Sequence, residues 1–223
     1  MNTKLPSLLI AAGLMSSASA ATFYDITSVD ASTSGNDLWP VSNLIQGPGS
    51  GFDAAEPHAK ILNDAAGNWV TADPGGFPSD YIAAAGSPVV TLDLGVDQIL
   101  GEISMWGYSD GNTNGVSEFN LRFASEADGA GNFGTSITDN PAFTGMVRDA
   151  FTRQSFSFSQ VTARYVELTI TDNLFVAPGN VAPNPGGDRV GLGEVAFAVV
   201  PEPSAFLLGA IGLLAIFRRR SRS

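Results

Sequence analysis

The chain of 223 residues has no cysteine and a single histidine, His58. Without thiols, cysteine catalysis, disulfide staples and cysteine-ligated metals are excluded. One histidine rules out any site that needs two. Basic residues are scarce: eleven Lys and Arg stand against twenty-two Asp and Glu, for a net charge of −11. Nucleic-acid partners need a basic patch against phosphate, so none is expected. Adhesion to anionic lipid is disfavoured for the same reason. No long amphipathic helix and no internal repeat can be read from the pattern.

What is present falls into three parts. Lys4 opens the chain, Leu5 to Met15 is apolar, and Ala18-Ser19-Ala20 is an Ala-x-Ala site. That order reads as a secretory signal peptide over residues 1–20, cut after Ala20. A short membrane anchor is the competing reading, but the run is shorter than the ~20 residues of a spanning helix. At the other end, Pro201-Glu202-Pro203 precedes an apolar stretch, Ala205 to Phe217, and then four arginines among the last six residues. The prolines stop any strand before them. As a helix the apolar stretch reaches roughly 20 Å, against a hydrocarbon core of ~30 Å. The arginines would snorkel and stay cytoplasmic.

Residues 201–223 resemble the PEP-CTERM sorting tail of exported bacterial proteins: motif, short apolar helix, arginine-rich end. The resemblance implies an exosortase-type membrane peptidase as partner, with cleavage near Pro201 to Pro203. It implies a transient inner-membrane stage through the C-terminal segment, then a place at the cell surface or outside the cell. Such proteins tend to accompany exopolysaccharide. The competing reading is an ordinary tail anchor.

Between the ends lies residues 21–200, one domain by length and long enough for a real core. It keeps six of the bases and twenty-one of the acids, so its net charge is about −15. That acidity serves solubility or divalent cations. Short apolar or alternating runs between Gly, Pro and Asn clusters read as β structure. The expected strands are Tyr24 to Val29, Pro88 to Leu94, Leu100 to Trp106, Ser117 to Phe123, Gln154 to Phe158, Arg164 to Thr171 and Gly191 to Val199. Phe156 and Phe158 share a face, as do Val166, Leu168 and Ile170. Ala54 to Ala66 reads as a short helical turn limited by Pro57. Long loops are expected at Gly47 to Asn68, Asp73 to Ser87, Asp128 to Ala150 and Asn173 to Asp188. The class is all-β, a two-sheet sandwich.

Several segments in order resemble discoidin-like domains, the coagulation-factor type-C family. They are Asn43-Leu44-Ile45-Gln46-Gly47, Asn68-Trp69-Val70, Val90-Thr91-Leu92-Asp93-Leu94-Gly95, Ile99 to Met105, Ala163-Arg164-Tyr165-Val166-Glu167-Leu168 and Gly191-Leu192-Gly193-Glu194-Val195. The resemblance implies an eight-stranded jelly roll, the galactose-binding-like sandwich, often used to bind sugars or surfaces. It also implies a structural calcium at Glu194, joined by Asn63 and Asp64 from the loop before Trp69. Two features depart from the pattern: Gln46 stands where aspartate is usual, and the stretch from Gly47 to Trp69 is long.

Other motifs are weighed on their chemistry. Gly107-Tyr108-Ser109-Asp110-Gly111 has the spacing of a nucleophile elbow, but a turn follows where that motif needs a helix. Asp110, Asn112 and Asn114 place oxygens at positions 1, 3 and 5 of a calcium loop, with Gly115 at 6. Position 12 is Leu121 rather than glutamate, so this is no EF-hand; a long hairpin turn is the competing reading. Trp39, Trp69, Trp106 and Tyr108 are candidates for a sugar-stacking platform, with Trp69 assigned to the core by family position. Ile103 and Met105 share one face, so Trp106 points to the other, toward solvent or a covering loop. Trp106 and Tyr108 are therefore the ligand candidates. No spacing among the carboxylates singles out a catalytic pair. The expected function is a non-enzymatic exported protein that binds carbohydrate or another matrix component. The alternatives are a purely structural biofilm component and a secreted glycan-active enzyme.

Overall fold

A computed structural model of the protein describes residues 23–35, 39–45, 67–149, 152–179, 181–183 and 185–198. The expectations for Ala18 and Ala20, the Ala54 to Ala66 turn, His58, Asn63, Asp64 and Pro201-Glu202-Pro203 lie outside these residues.

The elements in order are β1 (Phe23–Tyr24), β2 (Ser28–Ala31), a 3₁₀ turn (Val41–Ile45), β3 (Trp69–Val70), α1 (Tyr81–Ala85), β4 (Val89–Gly107), β5 (Val116–Ala124), β6 (Ala142–Thr144), β7 (Gln154–Asn173) and β8 (Gly191–Ala198). All strand pairings between these elements are antiparallel. The protein is an all-β jelly-roll sandwich, as expected.

The structure redraws several boundaries. The expected strands Pro88 to Leu94, from Val89 onward, and Leu100 to Trp106 belong to one strand of 19 residues, β4. Gln154 to Phe158 and Arg164 to Thr171 likewise merge into β7, 20 residues long. The polar residues between the expected strands look like turns, yet pairing runs through them with a register shift between Asp93 and Gln98. A bulge bends a strand without ending it, and Gly95, at φ +81°, takes the conformation this bend requires. The expected first strand divides instead. β1 pairs with β8 and β2 with β4, so the chain crosses between layers at Asp25 to Thr27. Two strands of two and three residues, β3 and β6, were too short to show in the pattern. α1 interrupts the expected loop at Asp73 to Ser87. Asp80 caps it by accepting from the Ala83 amide at 3.2 Å, and Gly86 at φ +81° ends it.

Because β4 and β7 fold over together, each serves both layers. Their outer halves, Val89–Asp93 and Tyr165–Thr169, join β2, β5 and β6. Their other halves, Glu102–Met105 and Gln154–Ser157, join β8, which carries β1 and β3. The layers meet through aromatic contacts: Phe156 stands edge-on to Phe119 at 5.1 Å, and Phe158 lies 5.3 Å from Phe123. Leu92, Ile103, Met105, Leu121, Val166, Leu168, Ile170 and Phe197 fill the core, all fully buried. Each such side chain contributes roughly 1.5–3 kcal/mol by leaving water.

This folding-over gives the sandwich two distinct ends. At one, the hinge end, β4 turns between layers around Gly95 to Gln98. At the other, the loop end, Gly107 pairs with Leu192, Val70 with Gly191 and Val116 with Asn173.

Candidate functional site

The loop end gathers side chains from four separate connections. Tyr108 leaves β4 just after Gly107 and lays its ring on the backbone of Gly191, the first residue of β8. A Cβ on Gly191 would come within 2.5 Å of that ring. Glycine here provides room, not an unusual φ. Tyr108 is half-buried, and burial raises its hydroxyl pKa above the ordinary value. The charge of Arg189 opposes that rise and the charge of Asp188 adds to it, so both stand close by. The hydroxyl is thus protonated at neutral pH.

Arg189 is held on two sides. Its guanidinium lies 5.3 Å from the centroid of the Trp39 ring, and its Nη2 reaches Asp73 Oδ2 at 3.3 Å. Its side chain remains 23% exposed. Trp39 in turn packs on Gly35, where a Cβ would fall 2.9 Å from Cε3. Two aromatic rings, one guanidinium and two carboxylates therefore share this end. Rings of this kind stack on the apolar faces of sugars, and the charged groups bond hydroxyls.

The segment carrying Asp188 and Arg189 is bolted down by buried polar groups. Thr113 donates both its amide and its hydroxyl to the Pro185 carbonyl, each at 2.8 Å. The Gly187 amide donates to Asn114 Oδ1. Asn173 Nδ2 donates to the carbonyls of Gly187 and Arg189 at 2.9 and 3.0 Å. The Val190 amide donates to Thr71 Oγ1 at 3.0 Å.

The Asp110-to-Gly115 motif takes part in these bonds. Asn112 Oδ1 accepts the Asn114 amide at 2.7 Å, and Asn114 Oδ1 is taken by Gly187. Both oxygens serve a turn that clamps the neighbouring loop. Asp110 is exposed at its edge. Ser109 Oγ accepts the Gly111 amide at 3.2 Å, and a turn follows it. Glu194 is 1% exposed and pairs across β8 and β4 with Trp106. Among the described residues, no three of His, Cys, Asp and Glu come together to hold a metal.

Trp106 needs correction as a ligand candidate. It does point away from Ile103 and Met105, but it is only 1% exposed. Glu194, Ala196, Ala198 and Ser104 on the same outer face are buried too. Arg153 stacks on Phe23 at 5.4 Å nearby. A ring closed over on that face has no surface to offer a sugar. Trp69 is fully buried, and its Nε1 donates to the Thr33 carbonyl at 3.0 Å, a core role. Tyr108 and Trp39 remain at the open end, while Asp73, Asp188 and Arg189 escaped the sequence reading. Arg189 carried one available signal: it is one of six bases in a strongly acidic body, set beside glycines that open a strand.

Residues 199–222 match the PEP-CTERM protein-sorting motif family. The chain carries a PEP-CTERM sorting motif. That motif implies export and a membrane-anchored sorting step. No curated protein matches the chain. Among solved structures, this chain is similar to the CBM32-1 and CBM32-2 domains from Clostridium perfringens ZmpB in complex with GalNAc. The TM-score is 0.50 and the identity 10%, over 80% of this chain and 35% of that one. A truncated AlyQ with CBM32 and alginate lyase domains gives a TM-score of 0.49 and 20% identity, over 82% and 35% of the two chains. The family 32 CBM from C. perfringens NanJ in complex with galactose gives 0.45 and 13%, over 76% and 91%. This chain thus spans about a third of the ZmpB and AlyQ chains. The ZmpB likeness supports the discoidin-like jelly-roll fold.

Proposed function

We propose that this exported protein is a non-enzymatic module that binds extracellular carbohydrate at its loop end, through Tyr108, Trp39 and Arg189 with Asp73 and Asp188. The observation that carries this reading is the meeting of two half-buried rings and a tethered guanidinium at the one end where four loops converge. The CBM32 likeness of the fold agrees with it. The tail is proposed to be cut by an exosortase-type peptidase, leaving the module at the cell surface or in the matrix.

A glycan array with the purified body, followed by titration calorimetry on the best hit, tests the binding. Tyr108→Ala and Arg189→Ala should each weaken binding at least about tenfold, the ~1.4 kcal/mol of a single good contact. Their melting temperatures should stay close to that of the parent. Absence of binding to any glycan would leave the structural biofilm role as the better reading. Turnover of a bound glycan would favour the enzyme.

A further inference from the structure

We propose that, while its tail is held in the membrane, the domain stands on its hinge end and turns the Tyr108–Arg189 end away from the bilayer. The argument begins with strand pairing. Phe23 of β1 pairs with Ala198 of β8, so the chain enters and leaves the described domain side by side. Ala198 lies across from Glu102, near the start of the second half of β4, while Leu192 at the opposite end of β8 meets Gly107. Phe23 and Tyr24 also line one shallow groove with Thr27, Leu94, Val96 and Gln98, at the β4 bend itself. Entry and exit therefore belong to the hinge end. The eight residues of β8 then separate them from the loop end by roughly 25 Å.

The tether is short. From Ala198 to Ala205, where the apolar stretch begins, there are seven residue steps. Even fully extended, they reach at most roughly 25 Å. Part of that length is spent crossing the headgroup region, several ångströms deep. A domain held so closely by one end cannot invert without pushing its own bulk into the bilayer. The candidate site then faces outward before the tail is processed, and can meet polysaccharide while the protein is still membrane-held. This inference rests on the sorting step and does not need sugar binding to be right.

The absence of cysteine makes the test clean. Val96→Cys and Ile99→Cys mark the hinge end, where the native residues are 53% and 49% exposed. Val147→Cys and Val176→Cys mark the loop end, at 58% and 46%. Each full-length variant, with its tail intact, is labelled with one fluorophore and reconstituted into phosphatidylcholine vesicles holding headgroup-spin-labelled lipid. Several-fold stronger quenching at 96 and 99 than at 147 and 176 is expected. Equal quenching at both ends, stronger quenching at the loop end, or failure of the chain to stay with the vesicles would overturn the proposal. Glycan binding by the tail-free body is measured separately. Its loss with the quenching difference intact would sink the binding reading alone.

Discussion

Asp93 concentrates three bonds at the point where β4 begins to bend. Arg164 donates to it in a fork, Nε to Oδ1 at 2.8 Å and Nη2 to Oδ2 at 3.1 Å, and the Gly95 amide adds a third bond at 2.7 Å. The Arg164 bond, more than the backbone bond, holds the Asp93 carboxyl below its ordinary pKa, against a smaller rise from burial. A carboxyl with a lowered folded pKa stabilises the fold above its unfolded value, and that stabilisation is lost as pH falls through the folded one. Asp93→Asn is therefore expected to cost about 1–2 kcal/mol at pH 7. The gap to the parent should close below about pH 4, as the parent carboxyl protonates. Urea unfolding of both proteins across that range checks it, and a pH-independent gap would count against the ion pair. Asp128 has the same sign: the Ser136 hydroxyl, then the Ser125 amide and hydroxyl, lower it.

Among the elements, the segment between β7 and β8 needs the most support, because it has no strand ladder of its own. Asn173, 3% exposed at the end of β7, makes up for this. It donates to two carbonyls of the segment and accepts the Phe175 amide at 3.1 Å. Asn173→Ala takes this partner from the Arg189 carbonyl and the Phe175 amide, while the Gly187 carbonyl keeps the Tyr81 amide at 3.0 Å, at a cost of about 1–3 kcal/mol. The urea midpoint should fall with an unchanged slope, and limited proteolysis should cut first between residues 174 and 190. Because Asp188 and Arg189 ride on this segment, glycan affinity should fall with it. Unchanged proteolysis would show that Thr113 and Asn114 hold the loop without help. The long strands β4 and β7 hide from pattern reading for a related reason. Alternation reports a face only while that face stays constant, and a bulge resets it within one strand.

At the scale of the molecule, an acidic domain precedes a sorting motif, and its own fold brings the first and last described strands, β1 and β8, side by side at one end. The sorting reading makes a direct prediction. Mass spectrometry of the mature protein from its producing cell should find a C-terminus near Pro201 to Pro203, without the arginines at 218–220 and 222. An intact arginine end would count against peptidase processing and for a tail anchor. The PEP-CTERM match and the compact jelly roll are independent of one another, so failure of the first leaves the second standing.

The features written locally in the chain could be read without coordinates. The sorting tail is a linear code of motif, apolar stretch and charge, which needs no partner elsewhere. The shared faces of Val166, Leu168 and Ile170, and of Phe156 with Phe158, followed from alternation because a side chain's face in a strand depends only on its neighbours; the first three are fully buried and the two rings pack against the core. What surrounds the outer face does not follow from alternation. Trp106 had its direction right, but the choice between solvent and a covering loop stayed open, because burial there depends on what covers the sheet. Tyr108 and Trp39 were candidates by residue type, but their grouping with Asp73 and Arg189 came only from tertiary structure. Trp39, Asp73, Tyr108 and Arg189 lie on four connections far apart in sequence, and they meet because β4 and β8 align Gly107 with Leu192. Strand register, a contact between distant residues, decides that meeting.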